Sequence, residues 1–146
     1  MVFALEVVMK LLILNGPNLN LLGSREPDIY GTESLKGIEK KTMSSCENID
    51  AAWRQSNSEN ELIGWVQTAE KDGFSAIVIN PGALTHTSLA LRDALANFNG
   101  MKVEVHLSNT YKREKFRKTK LTSAVCDGII EGLGSKGYKL AIDSII

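Results

Sequence analysis

Apolar and polar positions fall into blocks along this chain that separate strands from helices. Lys10–Leu14 is a short continuous apolar run, the pattern of a strand buried on both faces. Asn15 to Gly31 is rich in Gly, Pro and Asn and too broken for a long helix. From Ser34 to Asn48 the spacing of Leu35, Ile38, Thr42 and Cys46 predicts a helix, and Ile49–Gln55 a weaker strand. Ser58 and Glu61 form a capping-box pattern ahead of a helix whose Leu62, Trp65, Val66 and Ala69 share a face, with Gly73 suited to its C-terminal turn. Trp53 and Trp65 are read as core residues.

Ala76–Ile79 is a second clear buried strand. A helix with Leu91, Ala94, Leu95 and Phe98 inward follows it, then a strand over Lys102–Leu107. The basic run Lys112–Lys120 is read as the solvated face of a helix starting near Tyr111. Val125–Glu131 is expected to be a fifth strand, and Ser135 onward a helix with Tyr138, Ala141, Ile142 and Ile145 in phase. Strands alternating with helices imply a parallel α/β sheet covered on both faces, and right-handed crossovers leave few topologies. The order 2-1-3-4-5 is expected, in a single domain over residues 9–146. Residues 1–8 are apolar but carry Glu6 and lack a basic flank, which reads poorly as a signal peptide. A leader, an appended segment or an early start codon all remain open for them.

The 17 basic and 17 acidic residues cancel, so no global field favours nucleic acid or an anionic membrane. No stretch has the apolar length of a membrane span. Cys46 and Cys126 lack metal-type spacing and are expected to be reduced thiols of a cytoplasmic protein.

In such a sheet, ligands bind beyond the carboxyl ends of the strands, near the switch point. Three turn-rich motifs fall there: Asn15 to Asn20, Asn80 to Ser88, and Glu104 to Asn109. Both histidines of the chain, His86 and His106, therefore converge on one rim. The inventory predicts no dinucleotide or nucleotide phosphate loop. The first loop lacks both a flavin-type phosphate cradle and the acidic cluster of a magnesium-dependent signalling receiver. Two histidines without a carboxylate cluster do not suit a catalytic metal. Helix starts beside the motifs favour an anion. What remains is a metal-free acid–base site for a small anionic substrate. Ser24–Gly31 adds a candidate lid, in which Arg25 and Tyr30 can meet around Pro27, and a nearby guanidinium favours a phenolate.

Leu14 to Gly23, Arg25-Glu26-Pro27, Tyr30-Gly31, Arg54 to Asn57, Asn80 to Ser88, Leu91 to Ala94, Glu104 to Asn109, Arg113-Glu114 and Phe116-Arg117 together resemble the type II 3-dehydroquinate dehydratases across residues 10–146. The resemblance implies a flavodoxin-like subunit in a dodecamer of four trimers, with no cofactor. The implied reaction is an anti elimination of water from 3-dehydroquinate through an enolate, giving 3-dehydroshikimate. It makes Tyr30 the base, supported by Arg25, and His106 the general acid, oriented by Glu104. Asn18 would hold the water that stabilises the enolate oxygen. Asn80, His86, Arg117 and the backbone N–H groups of Leu107 and Ser108 would hold substrate. Arg113 would belong to the lid, and Asp93 would reach a neighbouring subunit's site.

The chain departs from the family pattern over Lys118–Ala124, at Ser58 and at Tyr111-Lys112. These departures bear on affinity, lid behaviour or trimer packing rather than on reaction type. The same reaction serves aromatic biosynthesis, the default, or quinate catabolism, which the sequence leaves open. A non-catalytic anion-binding paralogue would be expected to lose Tyr30, Arg25 or His106, and all three are present.

Overall fold

The apolar runs pair side by side. In this computed structural model, which describes residues 8–146, β1 (Met9–Asn15), β2 (Ile49–Gln55), β3 (Ala76–Asn80), β4 (Met101–His106) and β5 (Gly128–Glu131) form one sheet. Its order is β2-β1-β3-β4-β5 and every pairing is parallel, as expected. The leader expected over residues 1–8 lies, apart from Val8, outside the described residues.

Strand side chains alternate between two cores, because successive residues point to opposite faces. Leu11, Ile13, Ala76, Val78, Val103 and Val105 meet α2 (Leu35–Ser44) and α6 (Lys136–Ile145) through Ile38, Tyr138, Ala141 and Ile142. Leu12, Leu14, Ile77 and Ile79 meet α3 (Glu59–Thr68) and α5 (Leu89–Asn97) through Leu62, Val66, Leu91 and Leu95. Each such aliphatic side chain contributes about 1.5–3 kcal/mol when fully buried. Trp53 and Trp65 are only half-buried, at the margins of the two cores. Cys46 and Cys126 are unpaired thiols. Among the described residues no helix is long and apolar enough to cross a membrane.

Several expectations need correction. The capping box at Ser58 is half-formed. Its hydroxyl accepts the Glu61 N–H at 3.2 Å, but the Ser58 N–H goes to the Ser56 hydroxyl at 2.9 Å, not to the Glu61 carboxylate. The basic stretch is no α-helix. It folds as 3-10 turns at Thr110–Lys112, Lys115–Lys118 and Ser123–Val125. Tyr111 and Phe116 are exposed there, so the segment has no apolar stripe to bury. β5 is also shorter than Val125–Glu131, beginning at Gly128. The helix expected after β3 is divided at Ser88 into a short α4 (Leu84–Thr87) and α5, with the Ser88 hydroxyl capping α5 through the Leu91 N–H.

Candidate active site

The carboxyl ends of β1, β3 and β4 and the loops beyond them line one pocket. Its walls include Asn18, Arg25, Tyr30, Asn80, His86, His106, Leu107, Ser108, Arg113 and Arg117. Three arginines and two histidines face it, while among the described residues no carboxylate does. In a chain of zero net charge this is a local basic cup suited to an anion.

Two loops close its floor. Gly16 is needed because a Cβ there would lie 2.4 Å from the Pro81 carbonyl oxygen, so only glycine lets the loops after β1 and β3 touch. Asn18 adopts a left-handed φ of 70°, a conformation asparagine tolerates. Its N–H donates to Asn57 Oδ1 at 2.9 Å, while Gln55 Nε2 donates to Asn57 Oδ1 at 3.1 Å and to the Gly16 carbonyl at 3.2 Å. The Arg54-to-Asn57 motif thus holds the loop that presents Asn18.

On β4, Glu104 and His106 share a face because they are two residues apart. His106 Nε2 lies 2.7 Å from Glu104 Oε2. Glu104 is fully buried, yet both oxygens of its carboxylate meet donors. Thr85 Oγ1 donates at 2.9 Å, Thr122 Oγ1 at 2.5 Å and Ser123 Oγ at 2.5 Å. Burial pushes the carboxyl up, but the hydrogen bond and charge of His106, with the Ser123 and Thr122 hydroxyls, outweigh it and hold the group below its ordinary value. An ionised carboxylate only accepts, so His106 Nε2 carries a proton toward it and Nδ1 is left for a bound molecule.

The segment expected to be a lid contains α1 (Pro27–Tyr30), entered through Glu26 at a left-handed φ of 39°. The Tyr30 ring faces two guanidiniums, Arg25 with its carbon 5.0 Å from the ring centroid and Arg113 at 5.1 Å. Arg113 also donates to Ser108 Oγ at 3.3 Å, tying it to the loop after β4. The segment after Arg117 runs back along the loop beyond β3. The Leu121 N–H donates to the Thr85 carbonyl at 2.6 Å, and His86 Nδ1 donates to the Thr119 carbonyl at 2.6 Å. Burial lowers the His86 imidazole, assisted by the charges of His106, Arg117 and Lys120 and opposed by the Thr119 hydrogen bond. It is neutral at pH 7, with Nε2 free to accept. Arg117 Nε donates to Glu114 Oε2 at 2.5 Å. That ion pair lowers the exposed Glu114 carboxyl, after a backbone hydrogen bond as the larger cause.

Asp93 is not brought to this pocket. It is exposed on α5 and pairs with Arg92 at 2.9 Å. The expectation of no dinucleotide loop passes over Gly132-Leu133-Gly134-Ser135-Lys136-Gly137, which has G-x-G-x-x-G spacing between β5 and α6. Its amides are already committed: the Gly132 N–H donates to the His106 carbonyl at 3.2 Å and the Gly134 N–H to the Leu107 carbonyl at 3.0 Å. The loop therefore anchors the end of β4 rather than cradling a phosphate. Sequence reasoning missed Thr85, Thr122 and Ser123 around Glu104. Thr85 sat inside a recognised motif, but Thr122 and Ser123 lie in the segment that departs from the family pattern.

The sheet and its basic acid–base rim define an α/β protein built for a small anion. The profile of Dehydroquinase class II matches residues 9–146, and the chain belongs to that family. It is 52% identical over 139 residues to the 3-dehydroquinate dehydratase of Deinococcus radiodurans, covering 91% of this chain and 94% of that one. It is 51% identical over 145 residues to the 3-dehydroquinate dehydratase of Lachnoclostridium phytofermentans, covering 94% of this chain and 97% of that one. Among solved structures, the type II dehydroquinase from Butyrivibrio crossotus superposes with a TM-score of 0.92 at 48% identity, covering 94% of this chain and 97% of that one. That from Propionibacterium acnes gives 0.88 at 41%, covering 92% and 94%.

Proposed function

We propose that this chain is a hydro-lyase that dehydrates 3-dehydroquinate to 3-dehydroshikimate in the shikimate pathway. The observation that carries the mechanism is one pocket holding Tyr30 between two guanidiniums and His106 on an ionised Glu104. Tyr30, as the phenolate, takes the proton next to the ketone, and the C–H electron pair becomes the enolate. The flanking charges of Arg25 and Arg113 stabilise the anionic oxygen. Asn18 holds a water on the enolate oxygen. As the enolate collapses, the C–O bond on the neighbouring carbon breaks and the departing hydroxyl takes a proton from His106, leaving as water. Glu104 supplies the counter-charge that keeps the imidazole oriented.

Asn80, the acceptor nitrogen of His86, Arg117 and the backbone N–H groups of Leu107 and Ser108 hold the substrate. The fork of Arg117 suits oxygen ligands. Asp93, on the surface, completes a neighbouring subunit's pocket in a trimer, four of which make a dodecamer in the cytoplasm. The test is direct. EDTA-treated protein mixed with 3-dehydroquinate should produce the ultraviolet absorbance of the conjugated product, and Tyr30→Phe should abolish it while retaining substrate binding. No absorbance change from folded, assembled wild-type protein removes the reading, and full activity in Tyr30→Phe removes tyrosine as the base.

A further inference from the structure

A buried polar chain crosses the floor of the pocket, and the proposed reaction uses only its Asn80 end. The register sets Asn15 of β1 directly beside Asn80 of β3. Between them, from the opposite side of the molecule's sequence, the fully buried Tyr138 of α6 inserts its hydroxyl. Asn80 Nδ2 donates to Tyr138 Oη at 3.1 Å, and Tyr138 Oη donates to Asn15 Oδ1 at 2.5 Å.

Both outer ends of this chain are fixed by backbone groups. The Gly82 N–H, which can only donate, lies 3.2 Å from Asn80 Oδ1. The Arg54 carbonyl, which can only accept, lies 3.3 Å from Asn15 Nδ2. The direction of every bond follows: Gly82 to Asn80, Asn80 to Tyr138, Tyr138 to Asn15, Asn15 to Arg54. A hydroxyl has one proton and accepting lone pairs, so it fits a place that must accept on one side and donate on the other. Burial raises the Tyr138 phenol well above its ordinary value, which keeps that proton in place. The aligned donors also reinforce one another.

We infer that Tyr138 is a positioning residue for substrate binding, holding the Asn80 amide so that the pocket meets an N–H donor. Asn80 Oδ1 is consumed by Gly82 and one amide hydrogen by Tyr138, which leaves the second amide hydrogen for the ligand. The subsite at Asn80 is thereby set for an acceptor oxygen of a hydroxyl or carboxylate. This inference rests on the proposed dehydratase reaction, in which Asn80 binds substrate.

Tyr138→Phe tests it, since the ring that packs 5.1 Å from Trp53 is retained. KM for 3-dehydroquinate should rise about tenfold with kcat within about twofold, the split expected when ground-state binding is lost. In an Asn80→Ala background the same change should add no further rise in KM. If Tyr138→Phe does not fold, Asn15→Leu serves in its place. It deprives the Tyr138 proton of its acceptor and turns it against the Asn80 amide, so KM should again rise. Unchanged KM in a folded variant, or a lower melting temperature with KM and kcat intact, overturns the positioning role alone. Absence of turnover in the wild type removes the dehydratase reading and this role with it.

Discussion

Thr122→Val removes one hydroxyl at nearly constant volume. In the native chain Thr122 is fully buried and its Oγ1 stands 2.5 Å from Glu104 Oε1. The other three donors, Thr85, Ser123 and His106, all converge on Oε2. The variant therefore strips the described donor from one oxygen of a buried carboxylate. A hydrogen bond to a charged group contributes about 1.5–3 kcal/mol. For a domain of this size that corresponds to a fall in Tm of roughly 4–10 °C.

The effect must also depend on pH in one direction. The folded Glu104 carboxyl sits below its ordinary value, so its ionised form stabilises the fold above that value. This contribution is lost as pH falls through the folded value. Removing a donor raises the folded value, so the variant's deficit should be full at pH 7 and shrink only as pH falls below the ordinary carboxyl value, through the variant's folded value and then the wild type's, where a protonated Glu104 needs the donor less. Thermal melts of wild type and variant at matched protein concentration, across that range, measure it. An equal deficit at both ends would mean that packing and not charge is at stake. No deficit at all would sink the view of Glu104 as an anion caged by hydroxyls.

Gly16→Ala should destabilise the protein by about 1–3 kcal/mol or more and abolish turnover, because its Cβ would meet the Pro81 carbonyl at 2.4 Å; denaturant melts and the absorbance assay read both. The Cys126 thiol, pushed up to about 12 by burial and then by the Glu104 charge, should resist iodoacetamide at pH 8 in the folded protein and react only on unfolding, as peptide mass spectrometry would reveal. Glu131 accepts from Lys120 at 3.3 Å and from the Thr110 N–H and hydroxyl at 3.1 and 2.9 Å. Glu131→Ala should therefore speed hydrogen exchange across residues 109–120 and raise KM severalfold, whereas unchanged exchange would show that the segment is held elsewhere.

The sheet was legible because its two central strands, β1 and β3, carry near-continuous apolar runs, which a doubly covered parallel sheet demands. The stretch after Tyr111 was misread since charge density alone resembles a helix face. In the structure its backbone is held by scattered partners such as the Thr85 carbonyl, a pattern without periodicity. That Tyr30, His86 and His106 share one pocket was readable from motifs at the ends of adjacent strands and the loop after β1. The cage around Glu104 and the Tyr138 link were not, because threonine and serine hydroxyls are common everywhere and Tyr138 sits 123 positions from Asn15. In sequence it counts as one more inward residue on an amphipathic helix. Only the fold shows that its polar tip has a destination.

That separation has a consequence for biosynthesis of the chain itself. A nascent polypeptide that has emerged as far as β4 already carries Tyr30, both histidines and three of the four strand pairings. It still lacks the hydroxyl that orients Asn80, and the loop between β5 and α6 that ties down the His106 and Leu107 carbonyls. If Tyr138 sets the Asn80 amide as inferred, full competence to bind substrate comes only once α6 has formed, and truncation before Tyr138 should yield a chain with its reactive groups present and its floor unset.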